Sequence, residues 1–136
     1  MKVVICVDFS PYTKKVLEAA QVVLGSRMPR PEITVLHVLD MTLLSTGIGN
    51  EAQTVQELKE RSSGIYAMAR KYLGSGIIYR EEYGIPQVVI DQALEEAPCD
   101  LLVIGTRGRS TLAGIFLGSI SEHLLHRAQQ PLLIVP

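Results

Sequence analysis

Val3 to Val7 is an unbroken apolar run, Val-Val-Ile-Cys-Val, rich in β-branched residues. A strand buried on both faces reads this way, as in a parallel sheet. Asp8-Phe9-Ser10-Pro11 ends the run, and Ser10 followed by Pro11 predicts an N-cap and a first helical residue. Val16, Leu17, Ala20, Val23 and Leu24 then recur at i, i+1, i+4, i+7 and i+8, which is one apolar helical stripe. Gly25 is placed to close that helix as its C′ residue. Ile33 to Leu39 predicts a second strand, with His37 inside it as a hydrogen-bonded histidine of the core or strand end. Asp40 to Asn50 is a Thr-, Ser- and Gly-bearing loop, longer than most connections and so a candidate functional segment.

Glu51 to Leu73 predicts a long polar helix with a narrow stripe of Val55, Leu58, Ile65, Ala69 and Tyr72. Ile77 to Tyr83 is a more polar strand, nearer an edge. Gly84-Ile85-Pro86 turns into a helix that faces Val89, Ile90, Ala93, Leu94 and Ala97 inward. Leu101 to Ile104 is a fourth strand. Ser119 to Ala128 predicts a last helix carrying Ile120, Leu124, Leu125 and Ala128, and Leu132 to Val135 a final strand. Strands alternating with helices imply right-handed crossovers and a parallel sheet covered on both faces. The expected architecture is a single α/β domain over residues 1–136, a doubly wound, five-stranded parallel sheet with four helices.

Composition leaves this picture standing. A chain of 136 residues buries a full core without disulfides or a structural metal. A formal net charge of −1 argues against nucleic acid or an anionic membrane as the main partner. Cys6 and Cys99 are far apart and have no CxxC spacing, and Cys6 reads as a small core residue. His123 and His126 lie three apart with no supporting ligand pattern, so they read as exposed helix histidines and no metal site is expected. No run approaches the ~18 apolar residues of a membrane helix, and MKVVICVDFS is not a signal peptide. A soluble, cytoplasmic protein is the expectation.

The stretch Leu101 to Glu122, LLVIGTRGRSTLAGIFLGSISE, carries the candidate chemistry. An apolar strand breaks into Gly105-Thr106-Arg107-Gly108, and Gly118-Ser119 then opens a helix. Glycines let a backbone lie against a large ligand, and a helix start offers free N–H groups to an anion. In an open parallel sheet, ligands bind beyond the carboxyl ends of strands at the switch point of strand order. Two strand ends carry polar chemistry, Asp8-Phe9-Ser10 and this glycine loop, and a doubly wound sheet makes their strands neighbours. A phosphate-bearing ligand in that crevice is the first hypothesis. Ser119 and Glu122 also spell S-x-x-E, a capping box, which accounts for Ser119 without a ligand. Asp8 has a cap as its bland alternative, and Arg107 and Arg109 have solvated loop charges as theirs.

Known phosphate motifs fit poorly. No Gly-Lys pair exists for a Walker loop, and the first strand–helix turn has no glycines for a dinucleotide fingerprint. Asp8 stands alone and no lysine follows Lys71, unlike a response-regulator receiver. Phe9-Ser10-Pro11 is a poor flavin-phosphate loop.

The chain resembles the universal stress protein family in its ATP-binding branch. That branch carries Gly, two residues, Gly, nine residues, Gly-Ser/Thr; here it reads Gly105-Thr106-Arg107-Gly108, residues 109 to 117, Gly118-Ser119. The opening VVICVDFSP, the strand end LHVLD and the closing PLLIVP extend the resemblance over the whole chain. It implies an adenine-nucleotide alpha-hydrolase-like fold and a nucleotide-dependent regulatory protein that binds ATP, with any Mg2+ carried on the phosphates. By the same resemblance Cys6, Val7 and Asp8 meet adenosine, Val38 recognises adenine through its backbone, and Ile104 and Gly105 floor the ribose and phosphates. Gly108, Gly118, Ser119, Ile120 and Ser121 match the phosphate positions, with Arg107 and Arg109 supplying charge to the outer phosphates. Cys6 departs from the small residue or proline often found there, and Gln130 from a frequent cysteine or small residue. The family also implies a homodimer paired through the Leu132–Val135 edge strand.

Catalysis of phosphoryl transfer needs a positioned nucleophile and charge stabilisation. Ser119 and the two arginines do not supply that, so binding with at most slow hydrolysis is expected. Two further readings stay open. One is a slow ATPase or an enzyme autophosphorylating on Ser119, Ser121 or Thr111. The other is a dimeric interaction module binding AMP or no nucleotide.

Overall fold

A computed structural model of the chain describes residues 1–40, 55–107 and 117–136. Among these are five strands and four helices: β1 (Lys2–Val7), α1 (Tyr12–Leu24), β2 (Glu32–Asp40), α2 (Val55–Leu73), β3 (Ile78–Gly84), α3 (Pro86–Glu96), β4 (Leu101–Gly105), α4 (Ser119–Arg127) and β5 (Leu132–Val135). The sheet order is β3-β2-β1-β4-β5 with every pairing parallel, the doubly wound single domain read from the alternation. The loop from Met41 onward, the first residues predicted for the long helix, and Gly108, Arg109, Thr111 and Gly114 lie outside the described residues.

The period-2 geometry of β1 sorts its apolar run between two cores. Val3, Ile5 and Val7 face α1 and α2, packing with Val16, Leu17, Ala20, Val35, Ile65, Ala69 and Val103. Val4 and Cys6 face the opposite layer, with Leu36, Ile90, Leu94, Leu102, Ile104 and Leu124. Both faces of the central strands are therefore apolar, which is why these strands show no alternation in sequence. β3 and β5 are the sheet edges, as their pairing requires.

Some local expectations shift. α1 begins at Tyr12 with Pro11 at the N-cap and no side-chain cap bond, so Ser10 is not the N-cap. The Asp8 carboxylate accepts from the Ser10 N–H at 2.8 Å, closing a turn ahead of the helix. Val23 is exposed and Thr13 takes the buried place on the stripe. Gly25 has φ −63°, right-handed rather than the left-handed C′ conformation, and a Cβ there would meet Gln21 O at 2.6 Å. Gly84, at φ +147°, also needs a residue without Cβ, since a Cβ there would meet Val89 Cγ2 at 2.9 Å. Ala97 and Leu125 are exposed, because α3 closes at Ala97 and Leu125 lies off the buried face of α4.

Candidate functional site

β1 and β4 lie side by side, and the chain leaves them toward opposite halves of the sheet: β1 leads to β2, β4 to β5. Their carboxyl ends therefore open a crevice at the switch point. The cavity there has a volume of about 290 Å³, close to the ~300 Å³ lower end for small-molecule sites. Cys6, Val7 and Asp8 line it from the end of β1, Val38 from β2, Ile104, Gly105 and Arg107 from β4, and Gly118, Ser119, Ile120 and Ser121 from the start of α4. Every described residue of the predicted site thus meets in one cavity.

The floor is apolar. Val7 and Ile104 are buried and Cys6 half-buried, and burial pushes the Cys6 thiol up to about 12, so it is an uncharged, inert lining group. Gly105 closes the floor tightly. A Cβ there would stand 3.2 Å from Arg107 O and 3.2 Å from Val16 Cγ2, so a side chain would press the loop and α1 apart.

Asp8 is held in place. Its Oδ1 accepts from Ser10 N at 2.8 Å, its carbonyl accepts from the Thr13 hydroxyl at 2.7 Å, and its N–H donates to Thr13 Oγ1 at 3.0 Å. This is a turn locked by its own side chain. Oδ2 takes part in none of the hydrogen bonds among the described residues. Asp8 does not cap α1, which carries no side-chain cap bond; Oδ1 serves the turn before the helix and leaves the second oxygen for other partners.

Across the crevice Gly118 is the N-cap of α4, with φ −72° and ψ 159°, and no side chain caps the helix. The S-x-x-E capping box does not form, because Ser119 is already the first helical residue. Gly118 N–H donates to Thr106 O at 2.7 Å and ties the cap to the end of β4. By helix geometry the N–H groups of Ser119, Ile120 and Ser121 have no partner inside α4, and they carry the positive end of its dipole. Ser119 is exposed, whereas Ser121 is 4% exposed and its hydroxyl donates to Gly105 O at 2.6 Å. The two serines therefore differ: Ser119 is an exposed lining residue, while the Ser121 hydroxyl fastens α4 to β4.

Several lining residues carried no signal of their own. Phe9 packs edge-on against His37, ring centroids 4.6 Å apart, beneath the Arg61 guanidinium at 4.3 Å. His37 is fully buried, with Nδ1 2.8 Å from the Tyr79 hydroxyl and 3.3 Å from Ser62 Oγ, and Ser62 donates on to Glu81. The hydrogen-bonded core histidine expected from sequence is present, and it also lines the crevice. Burial pushes the Tyr79 phenol up to about 12, which keeps its proton in this network. Pro86, Gln87 and Ile90 enter from the start of α3, because β3 ends on the same side of the sheet. His123 corrects the expectation of an exposed histidine: its Nε2 lies 2.9 Å from Asp91 Oδ2, with Arg127 close by at 3.8 Å. Among the described residues no group of three or more His, Cys, Asp or Glu side chains is gathered as a metal ion would need, and no helix is long and apolar enough to cross a membrane.

The geometry defines an α/β protein with a crevice at the carboxyl end of a parallel sheet, walled by a fixed carboxylate on one side and an uncapped helix start on the other. The universal stress protein family model matches residues 1–136, and the chain belongs to that family. Universal stress protein Sll1388 of Synechocystis is 27% identical over 150 residues, spanning 98% of this chain and 96% of its own. Among solved structures, the Methanocaldococcus jannaschii protein MJ0577 superposes with a TM-score of 0.78 at 23% identity, covering 98% of this chain and 94% of that one. The universal stress protein of Archaeoglobus fulgidus, solved in complex with dAMP, superposes with a TM-score of 0.63 at 22% identity, covering 100% and 98%.

Proposed function

We propose that the crevice binds an adenine nucleotide, ATP in preference to its shorter relatives, and that the protein is a nucleotide-dependent regulator rather than a fast enzyme. The observation that carries this is the facing pair across the cavity: the Asp8 carboxylate on β1's end and the uncapped N-terminus of α4 opposite. A carboxylate suits ribose hydroxyls or an amine, and three free N–H groups suit phosphate oxygens. Val38 contributes backbone contacts to the base, Ile104 and Gly105 the floor, and Cys6 and Val7 apolar packing. Arg107 is exposed at the rim, where an outer phosphate meets its charge. Gly108 and Arg109 extend the same cradle in this proposal. The dAMP carried by the Archaeoglobus fulgidus protein supports the adenine-nucleotide class.

The residues fit Mg2+ only as a companion of the phosphates. Near the crevice the described acidic side chains are Asp8 and Asp40, too few for an all-protein site. A bound ion would screen phosphate charge, while the Ser119 hydroxyl and the α4 amides would hold the phosphate oxygens themselves.

β5 supports a homodimer. Pro131 O and Val135 O point toward β4, so the polar backbone groups of Leu132 and Ile134 point outward along the sheet edge. A two-fold mate pairing antiparallel would cover them.

The test is to denature freshly purified protein and to identify and quantify the nucleotide released. Adenine nucleotide near one equivalent, or a clear thermal shift on adding ATP, is expected. No nucleotide and no shift overturns the reading.

A further inference from the structure

The hydroxyl of Ser10 is a buried group without an explanation in the fold. Ser10 is 8% exposed, and its Oγ bonds no group among the described residues. It does not cap α1, which starts two residues later. Burying a hydroxyl without a partner is unfavourable, and alanine would fill the same space at no such cost. Yet Ser10 lines the crevice on the same turn as Asp8.

That turn is rigid. The Ser10 N–H is fixed to Asp8 Oδ1 at 2.8 Å, and Thr13 holds the Asp8 backbone. Phe9 stands between the two residues, packed on His37 and covered by Arg61. The Asp8 carboxylate and the Ser10 side chain thus stand on one turn of the crevice wall two residues apart; the Ser10 Oγ is covered, and a χ1 rotation is the movement left to it. A phosphate is a poor partner here, because the carboxylate repels it. A pair of vicinal hydroxyls is a good one. One hydroxyl donates to Asp8 Oδ2, and its neighbour exchanges a hydrogen bond with Ser10 Oγ.

We infer that Ser10, beside Asp8, is a specificity-determining residue that reads a ribose hydroxyl, so that the protein distinguishes ribonucleotides from deoxynucleotides. This rests on the nucleotide reading above and adds to it the group recognised. A site built to pair with a ligand hydroxyl rejects the analogue lacking it, because its own polar group stays bare.

The experiment is isothermal titration of wild type, Ser10→Ala and Ser10→Gly with ATP, 2′-deoxyATP and 3′-deoxyATP. Wild type binds ATP about threefold to tenfold more tightly than at least one deoxy analogue. Both variants lose that preference, through weaker ATP binding, while the discriminated analogue binds as before. The melting temperature of Ser10→Ala stays at or above the wild-type value, since the orphaned hydroxyl is gone, and that of Ser10→Gly falls slightly through the added freedom of its unfolded chain. Equal preference in wild type and variants, as expected if a water serves the hydroxyl, overturns the inference while leaving nucleotide binding intact. No binding of ATP to wild type overturns both, and so separates the two failures.

Discussion

Ser119 and Ser121 are two residues apart, and the structure gives them opposite work. The Ser121 hydroxyl is buried and donates to Gly105 O at 2.6 Å. Ser121→Ala leaves that carbonyl without its side-chain donor, a loss of about 1–3 kcal/mol. Unfolding entropy is roughly 2.1 cal/mol/K per residue, about 290 cal/mol/K for this chain of 136 residues. A loss of ~2 kcal/mol therefore lowers Tm by about 7 °C. Ser119 is exposed at the first helical position and bonds nothing that holds the fold. Ser119→Ala should leave Tm within about 2 °C, because surface changes of this kind stay near ±0.5 kcal/mol. If Ser119 bonds a phosphate as proposed, the variant loses a charge-assisted hydrogen bond worth about 1.5–3 kcal/mol, and ATP affinity is expected to fall about tenfold or more. Calorimetric melting and ATP titration of both variants decide the matter. If Ser121→Ala melts like wild type and loses more ATP affinity than Ser119→Ala, the tie between α4 and β4 is not what Ser121 does.

Asp8→Ala removes the acceptor for Ser10 N–H and the carboxylate facing the crevice, and is expected to weaken ATP binding at least tenfold with a smaller change in Tm; unchanged affinity in a titration would sink Asp8 as a contact. Tyr79 has a folded pKa raised by burial from 10 to about 12, so the native state holds a proton that the unfolded state has lost across that window. Its contribution is complete below pH 10 and is lost as pH rises toward 12. The drop in Tm between pH 10 and 12 should be smaller in Tyr79→Phe than in wild type, and an equal drop contradicts the assignment. Ile134→Pro deletes an outward-facing N–H of β5 and is expected to shift sedimentation from dimer to monomer; a dimer of unchanged affinity rules out pairing through that edge.

The strands were legible because both faces of the parallel sheet are covered, so β1, β2 and β4 are apolar runs that admit no other reading. The crevice was legible because two polar strand ends, at Asp8 and Gly105, flank a switch point that topology alone dictates. Helix starts were read less well. Ser10-Pro11 and Ser119-x-x-Glu122 both spell local caps, and in neither does the serine cap. At Ser10 the helix begins two residues later with Pro11 as its N-cap, and at Ser119, where the helix does start as expected, Gly118 holds the N-cap position and is tied to Thr106 O. His37, Tyr79, Ser62 and Glu81 come from β2, α2 and β3, and no local spacing reports a network assembled across three elements. His123 was misread for the same reason, since Asp91 lies on another helix.

An adenine nucleotide seated between the ends of β1 and β4, as proposed, would touch the backbone of both strand ends. Backbone amide chemical shifts followed during titration with ATP test it most directly. Saturable shifts concentrated at residues 6–10, 38, 104–107 and 118–121 are expected. Shifts confined to another surface, or none at millimolar ATP, would contradict it.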